Sequence, residues 1–406
     1  MQLFNFYYQS KLYRFLHTDF WLFELSIWLH VFARSLISVF IPILFLKLGY
    51  TVEQVMIFFF IYCLIDIPLN FLARYLVRKI GARLVIIVGS LALIAYFICF
   101  YNLVLNNWLL FFLMAFFAAI YDAFYWVAHI YLFMKSSNHD EDVAGDTSTL
   151  HIIKRIAGII APAIGAGVLI FLNQKFLIVI SITILMISLW LLFEIKGIKD
   201  KPSKKQLPFR KFFKNWQDAK DYTSLSLRSI HSVAEDTIWP IFIFALFENI
   251  KSVAALPIIV SVATIIFTYF TGKTSKNKRS YLISLGSIFI AFIWILRLIL
   301  ENNIFYYVSV FLVGLFSVFI NIPLDSNIFE KGEKKDTLST AMYRNVFCMT
   351  PKVFIFGGLI LMVQVFKVSF IVAAISMFVI MILNYIFILG GLKKKESLVK
   401  CIPEIS

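Results

Sequence analysis

Apolar residues run through the chain in about twelve long stretches, at roughly 21–46, 52–73, 84–104, 108–134, 148–172, 175–195, 221–247, 252–271, 280–300, 304–329, 337–362 and 365–390. A helix needs about 20 residues to cross a bilayer, and these runs are of that length. They are unbroken rather than alternating ten-residue segments, which excludes a barrel. The pattern predicts an all-α membrane protein of twelve transmembrane helices. The connections divide their Lys and Arg unevenly. One side carries Arg74, Arg78, Lys79 and Arg83, then Lys135, the 196–220 block, Lys273–Arg279, Lys331–Lys335 and Lys393–Lys395. The other side carries the single cations Lys47, Lys175, Lys251 and Lys367. Cytoplasmic loops hold the excess of cations, so both termini are expected in the cytoplasm and the chain in the cell membrane.

The longest connection, 196–220, separates two halves of six runs, 1–195 and 221–406, the second ending in a basic tail. Within the connection Phe209, Phe212, Phe213 and Trp216 recur at helical spacing among Arg210, Lys211, Lys214 and Lys220. That predicts a basic amphipathic helix on the inner leaflet, with a flexible linker as the alternative. The halves read as repeats. Asp146-Thr147-Ser148-Thr149 leads through Arg155 to Pro162, and Asp336-Thr337-Leu338-Ser339 leads through Arg344 to Pro351, with the same Arg-to-Pro spacing. Pro42 and Pro240 occupy similar places in the first and seventh runs. A duplicated six-span unit places a solute site at the interface of the repeats, near the midplane.

Asp122 falls near the middle of the fourth run, where a carboxylate is costly and normally faces a bundle interior or a watery cavity. With Tyr125, Trp126 and His129 it follows i, i+3, i+4, i+7 spacing, one helical face. The alternative is a hydrogen-bonded carboxyl that only joins helices. The aromatic and His neighbours favour the cavity.

Composition narrows the functional classes. The 406 residues are 61% hydrophobic and 15% charged, with mean hydropathy +0.87, which no soluble domain of this length shows. The net charge of +15 resides in the connections, so topology accounts for it and nucleic acid is not an expected partner. The 45 Phe reflect compositional bias rather than an aromatic site. Cys63, Cys99, Cys348 and Cys401 lack metal spacing. No Walker A motif or other enzyme signature occurs, so no ATP-driven pump, cofactor or metal is expected. The first 20 residues lack the apolar core and cleavage site of a signal peptide.

Twelve runs, a six-plus-six duplication, a basic central connection and cytoplasmic ends resemble the major facilitator superfamily over essentially the whole chain. That family's loop between spans two and three commonly reads Gly-x-x-x-Asp-Arg-x-Gly-Arg-Arg. Here it is Ala73-Arg74-Tyr75-Leu76-Val77-Arg78-Lys79-Ile80-Gly81-Ala82-Arg83. Lys79, Gly81 and Arg83 fit, but Arg78 replaces the Asp, which removes the carboxylate of the family's cytoplasmic gating salt bridge. Asp66-Ile67-Pro68 is similar to the acidic-x-Pro that precedes this motif. In run five, Ala157-Gly158-Ile159-Ile160-Ala161-Pro162-Ala163-Ile164-Gly165-Ala166-Gly167 is similar to the Gly-x-x-x-Gly-Pro-x-x-Gly-Gly of drug-exporting antiporters, with Pro162 and Gly165 matching. Ordinary tight packing through small residues is the alternative.

The resemblance implies that spans one, four, seven and ten line a central cavity. Candidate solute contacts are then His30, Arg34, Tyr125, Trp126, His129, Arg228, His231, Asn321 and Lys352. Asp122 is the leading proton-coupling carboxylate, with Glu235 and Asp236 as further candidates. Gating is expected of Asp66, Lys79, Gly81, Arg83, Arg155, Pro162 and Arg344, the last also able to snorkel. Arg34 is expected within reach of Asp122, and Arg297 is expected to anchor the outer end beside Glu301. The expected function is a monomeric secondary transporter of a small organic solute, working by alternating access among membrane lipids, coupled to protons and tilted toward export. Alternatives are a proton-coupled importer, a lipid flippase and a non-transporting sensor.

Overall fold

The structure is a computed structural model and describes residues 19–136, 143–194, 209–272 and 278–400. The described residues form helices and no strands. The first span is α1 (Asp19–Ser35), a 3₁₀ turn (Ser38–Phe40) and α2 (Ile41–Lys47). Then follow α3 (Val52–Ile80), α4 (Ala82–Tyr101), α5 (Trp108–Ser136), α6 (Val143–Phe171) and α7 (Gln174–Glu194). After a short α8 (Phe209–Phe212), the seventh span is α9 (Trp216–Val233), a π-helical turn (Ala234–Ile238) and α10 (Trp239–Phe247). The chain continues through α11 (Ile250–Gly272), α12 (Arg279–Ile299), α13 (Asn303–Lys335), α14 (Thr337–Ile360) and α15 (Val365–Lys400).

Among the described residues, nine spans are long and apolar enough to cross a membrane. Within α6 and α11 the apolar stretches are shorter, Ile156–Phe171 and Ile250–Ile265. With α14, whose Arg344 and Lys352 dilute its hydropathy, they complete the expected set. The chain is a multi-pass membrane protein.

Local chemistry sets the boundaries. Thr51 opens α3 with a capping box: the Gln54 N–H donates to Thr51 Oγ1 (3.2 Å) and the Thr51 N–H to Gln54 Oε1 (2.9 Å). Gly81 ends α3 at φ +95°, a conformation that L side chains rarely adopt, so α4 can start at once. Pro42 and Pro240 each lie in the first turn of the helix that follows an irregular turn, 3₁₀ in one case and π in the other, where a proline disturbs the regular α-helical bonding. Spans one and seven are therefore interrupted at matching places, as the repeat predicts.

The halves meet along α3 with α14 and α6 with α11. At the α6–α11 seam a Cβ on Gly158 would lie 2.8 Å from Ser261 Oγ. At the basic-loop end Phe133 meets Phe329 at 5.5 Å, and Arg78 reaches Asp336 at 4.0 Å. Arg78 on α3 thus meets a carboxylate of the other half, at the start of α14.

The central connection departs from expectation. The predicted leaflet helix is reduced to the four residues of α8, and 196–208 lie outside the described residues. Phe212 and Phe213 turn inward onto Tyr343 (4.8 and 5.3 Å), while Phe209 and Trp216 remain exposed. Lys220 is buried, donating to Asn384 Oδ1 (3.0 Å) and Ser280 Oγ (3.2 Å) and pairing with Asp221 (3.2 Å). Burial against the second half outweighs the amphipathic pattern, and Asn215 starts a new helix.

Candidate functional site

A cavity of about 520 Å³ lies between the halves. The first half contributes Arg34, Tyr62, Tyr96, Tyr121 and Asp122; the second contributes Arg228, His231, Glu235, Asp236, Asn321 and Lys352. Eight of the expected site residues are brought together here. The broken spans place Arg34 beside the interruption that follows α1, and Glu235 and Asp236 within the π turn itself.

Arg34 and Asp122 face the same space, and each feels the other's charge without a direct ion pair. The Arg34 guanidinium lies over Tyr121 (5.4 Å to the ring centre) and near the Trp126 ring (5.9 Å). Tyr62 lines the cavity with Asp122. From the opposite half, Lys352 acts electrostatically on both Asp122 and Asp66. Neither Arg34 nor Lys352 has a carboxylate at ion-pair distance among the described residues.

Asp66 is corrected by this geometry. Expected at the gate, it lies instead near the middle of α3, fully buried, close enough to feel Asp122. Its Oδ1 accepts from Asn70 Nδ2 (2.6 Å), while Oδ2 has no hydrogen-bond partner. The acidic-x-Pro pattern gives no depth, and α3 continues well past it.

Tyr125, His129 and His30 are also corrected. They stack inside the first half, His30 on Tyr125 at 3.9 Å and Tyr125 on His129 at 5.7 Å, and do not line the cavity. His30 Nε2 is 3.0 Å from the Tyr121 hydroxyl. A stripe at i, i+3, i+4, i+7 covers a wide arc. The close approach of α4, where a Cβ on Gly89 would be 2.8 Å from the Tyr125 backbone N, claims the Tyr125 edge of it. Trp126 lines a second space of about 290 Å³ beside Arg34.

The second half has its own pairings. Arg228 donates to Asn321 Oδ1 (3.2 Å) and pairs with Asp325 (3.5 Å). Arg344 pairs with the same Asp325 (3.2 Å), so this expected gate or snorkelling residue is held within its own half. Arg297 is no outer anchor. It is buried between the rings of Trp239 (3.7 Å) and Trp294 (4.5 Å), donates to Ser309 Oγ (2.8 Å) and pairs with Glu235 (2.5 Å). His231 Nδ1 accepts from Trp294 Nε1 (2.9 Å). Glu235 and His231 therefore face the cavity while already engaged behind it. Local spacing could not reveal these partners, since Glu235 and Arg297 are 62 residues apart.

Among the remaining gate residues, Lys79 is exposed near Tyr75, and Arg83 donates to the Phe193 carbonyl (2.8 Å) within the first half. Neither bridges the halves in these contacts. The Arg155 side chain lies outside the described residues. Pro162 borders the smaller space, and a Cβ on Gly165 would fall 2.0 Å from the Leu36 carbonyl oxygen, so α6 packs directly on the break in span one.

The sequence model of the Major Facilitator Superfamily matches residues 24–351. Among solved structures the chain is similar in fold to the human organic anion transporter MFSD10 (TETRAN), with a TM-score of 0.66 and 9% identity, over 89% of this chain and 98% of that one. No curated protein matches the sequence.

Proposed function

We propose that this chain, which belongs to the major facilitator superfamily of secondary transporters, carries a small organic anion or zwitterion across the cell membrane by alternating access. The observation behind this reading is the pair of cavity cations without carboxylate partners. Arg34 comes from one half and Lys352 from the other, and both border one space between them. A solute carboxylate would supply what neither cation finds in the protein, and holding both would draw on both halves at once. The fold it shares with an organic anion transporter is compatible with such a solute.

Asp122 is the proposed proton carrier, with Asp66 as its buried neighbour. Ionised, Asp122 competes with the solute for Arg34 and Lys352; protonated, it leaves them to the solute. Proton and solute then bias one two-state element together. Both termini are placed in the cytoplasm by the Lys/Arg bias. Cysteines at Asn106 and Ser203 should label from opposite faces. Pro162 and Gly165 tilt the direction toward export.

The test is a proteoliposome assay with and without a pH gradient, across organic anions, zwitterions and a neutral sugar. Anion or zwitterion flux should respond to the gradient. Asp122→Asn should abolish gradient-driven accumulation while retaining solute exchange. Accumulation at the wild-type rate in Asp122→Asn would remove it as the carrier, and a preference for the sugar would end the anion reading.

A further inference from the structure

The smaller space lies next to the main cavity, and Arg34, Ser38, Val39, Tyr121 and Pro257 border both. It holds about 290 Å³ and extends toward the α6–α11 seam between the halves. Its walls carry no ionised group besides Arg34: Val31, Val39, Trp126, Pro162 and Pro257 give apolar surface, interspersed with the hydroxyl residues Ser35, Ser38, Tyr121 and Ser261. Small ligands bind in spaces that join apolar surface to a few placed polar groups. The site therefore has two parts, a polar chamber with Asp122 and Lys352 and a side lobe without further charge, with one cation at their junction.

We infer that the transported anion is a single-chain amphiphile. Its headgroup rests at Arg34, and its hydrocarbon tail fills the lobe. This rests on the anion reading above and adds the tail to it. Arg34 suits the junction because it lies beside the Tyr121 and Trp126 rings (5.4 and 5.9 Å) and has no carboxylate at ion-pair distance, which leaves its charge for an incoming anion. The lobe suits a tail because Val31, Val39, Trp126, Pro162 and Pro257 offer it apolar surface, and fully burying a methylene improves binding about threefold to fourfold. A hydrophilic anion of the same charge would gain nothing from the lobe. The headgroup could be a free carboxylate or the phosphate of a single-chain lipid; the anionic head and single tail are common to both.

The experiment uses full-length protein in nanodiscs, with empty nanodiscs as the blank. Titration calorimetry is run with straight-chain carboxylates from butyrate to dodecanoate and with lysophosphatidic acids of matched chain length. Affinity should rise about threefold to fourfold per methylene until the lobe is filled. The more tightly held head then assigns the source. Val31→Phe and Ser35→Leu, at two positions lining the lobe, should flatten that rise. Arg34→Gln should weaken every chain length together. Equal affinity at all chain lengths, with the Arg34 effect intact, would overturn the tail and leave the anion reading standing. An unaltered chain-length slope in a folded Val31→Phe or Ser35→Leu protein would overturn the lobe as its seat. Binding of no anion, or indifference to Arg34→Gln, would overturn both.

Discussion

In the core of the second half, Arg297 is held by Glu235, Ser309 and two indole rings, and Arg228 and Arg344 share Asp325. Around Asp122, where the halves face each other, Arg34 and Lys352 reach no carboxylate at ion-pair distance. Both regions are rich in charge, yet one is closed on itself and the other is not. A buried cation whose donors are already met has little to offer a ligand, and removing one partner leaves an uncompensated charge. A cation without a partner is costly to keep in a membrane, and such groups mark solute or ion pathways. Under the proposed function, the paired region is scaffold and the unpaired one the working surface, although Arg228 and Glu235 border the same cavity.

Removing one cation from each region gives the largest expected difference. Arg297→Ala strands Glu235 and empties the space between Trp239 and Trp294, and should cost about 3–5 kcal/mol. Thermal unfolding in one detergent would show it as a large drop in midpoint and in monodisperse yield. Arg34→Ala removes a cation with no acid to strand, so its midpoint should change by no more than ~1 kcal/mol equivalent, while solute binding is lost. Equal destabilisation by both would break the distinction.

A smaller difference tests how the unpaired region is held in place. Gly165 and Gly167 lie on the same helix, but a Cβ on Gly165 meets the Leu36 carbonyl oxygen at 2.0 Å and one on Gly167 meets nothing within 4 Å. Gly165→Ala must push α6 away from the break next to Arg34, at a cost of roughly 1–3 kcal/mol. Gly167→Ala should be neutral or stabilising by up to about 1 kcal/mol, through helix propensity. Solute affinity should fall with the first and hold with the second, and equilibrium binding alongside melting would check both.

What could be read from the chain follows from which forces are local. The spans were legible because hydrocarbon demands long apolar runs, and Arg34, Asp122 and Lys352 because intramembrane charge is rare enough to notice. The facing of α5 was not, because spacing defines a stripe while the packing of α4 and α1 decides which edge of it is covered. Tyr125 and His129 were lost to that distinction. Asp66 matched a motif whose depth in the membrane the motif does not encode. Arg297 could not be matched to Glu235, nor Arg78 to Asp336, since these partners are distant in the chain and only the packed helices bring them together.

The smallest expected effect concerns that last pair, which links the two halves at the basic end. Arg78 and Asp336 approach only to 4.0 Å, the outer limit of an ion pair, so the pair contributes no more than ~1 kcal/mol. Asp336 has a second duty: its carboxylate caps α14, accepting the Ser339 N–H (3.1 Å) and the Ser339 hydroxyl. Loss of a cap costs about 1 kcal/mol. Arg78→Ala should therefore change only the balance between open and closed basic ends, by a factor of about 2–5. Asp336→Ala should do the same and also lower the melting midpoint. Spin labels at Tyr75 and Lys334, both exposed and on opposite halves, would report the balance as the fraction of long distances. Exchanging the charges, Arg78→Asp with Asp336→Arg, should restore the distance distribution, because the pair survives the exchange. It should leave the midpoint low, because arginine cannot accept the Ser339 N–H. A single substitution at Arg78 that lowers stability as much as one at Asp336, with no change in distances, would make this contact part of the scaffold and place it with the paired region.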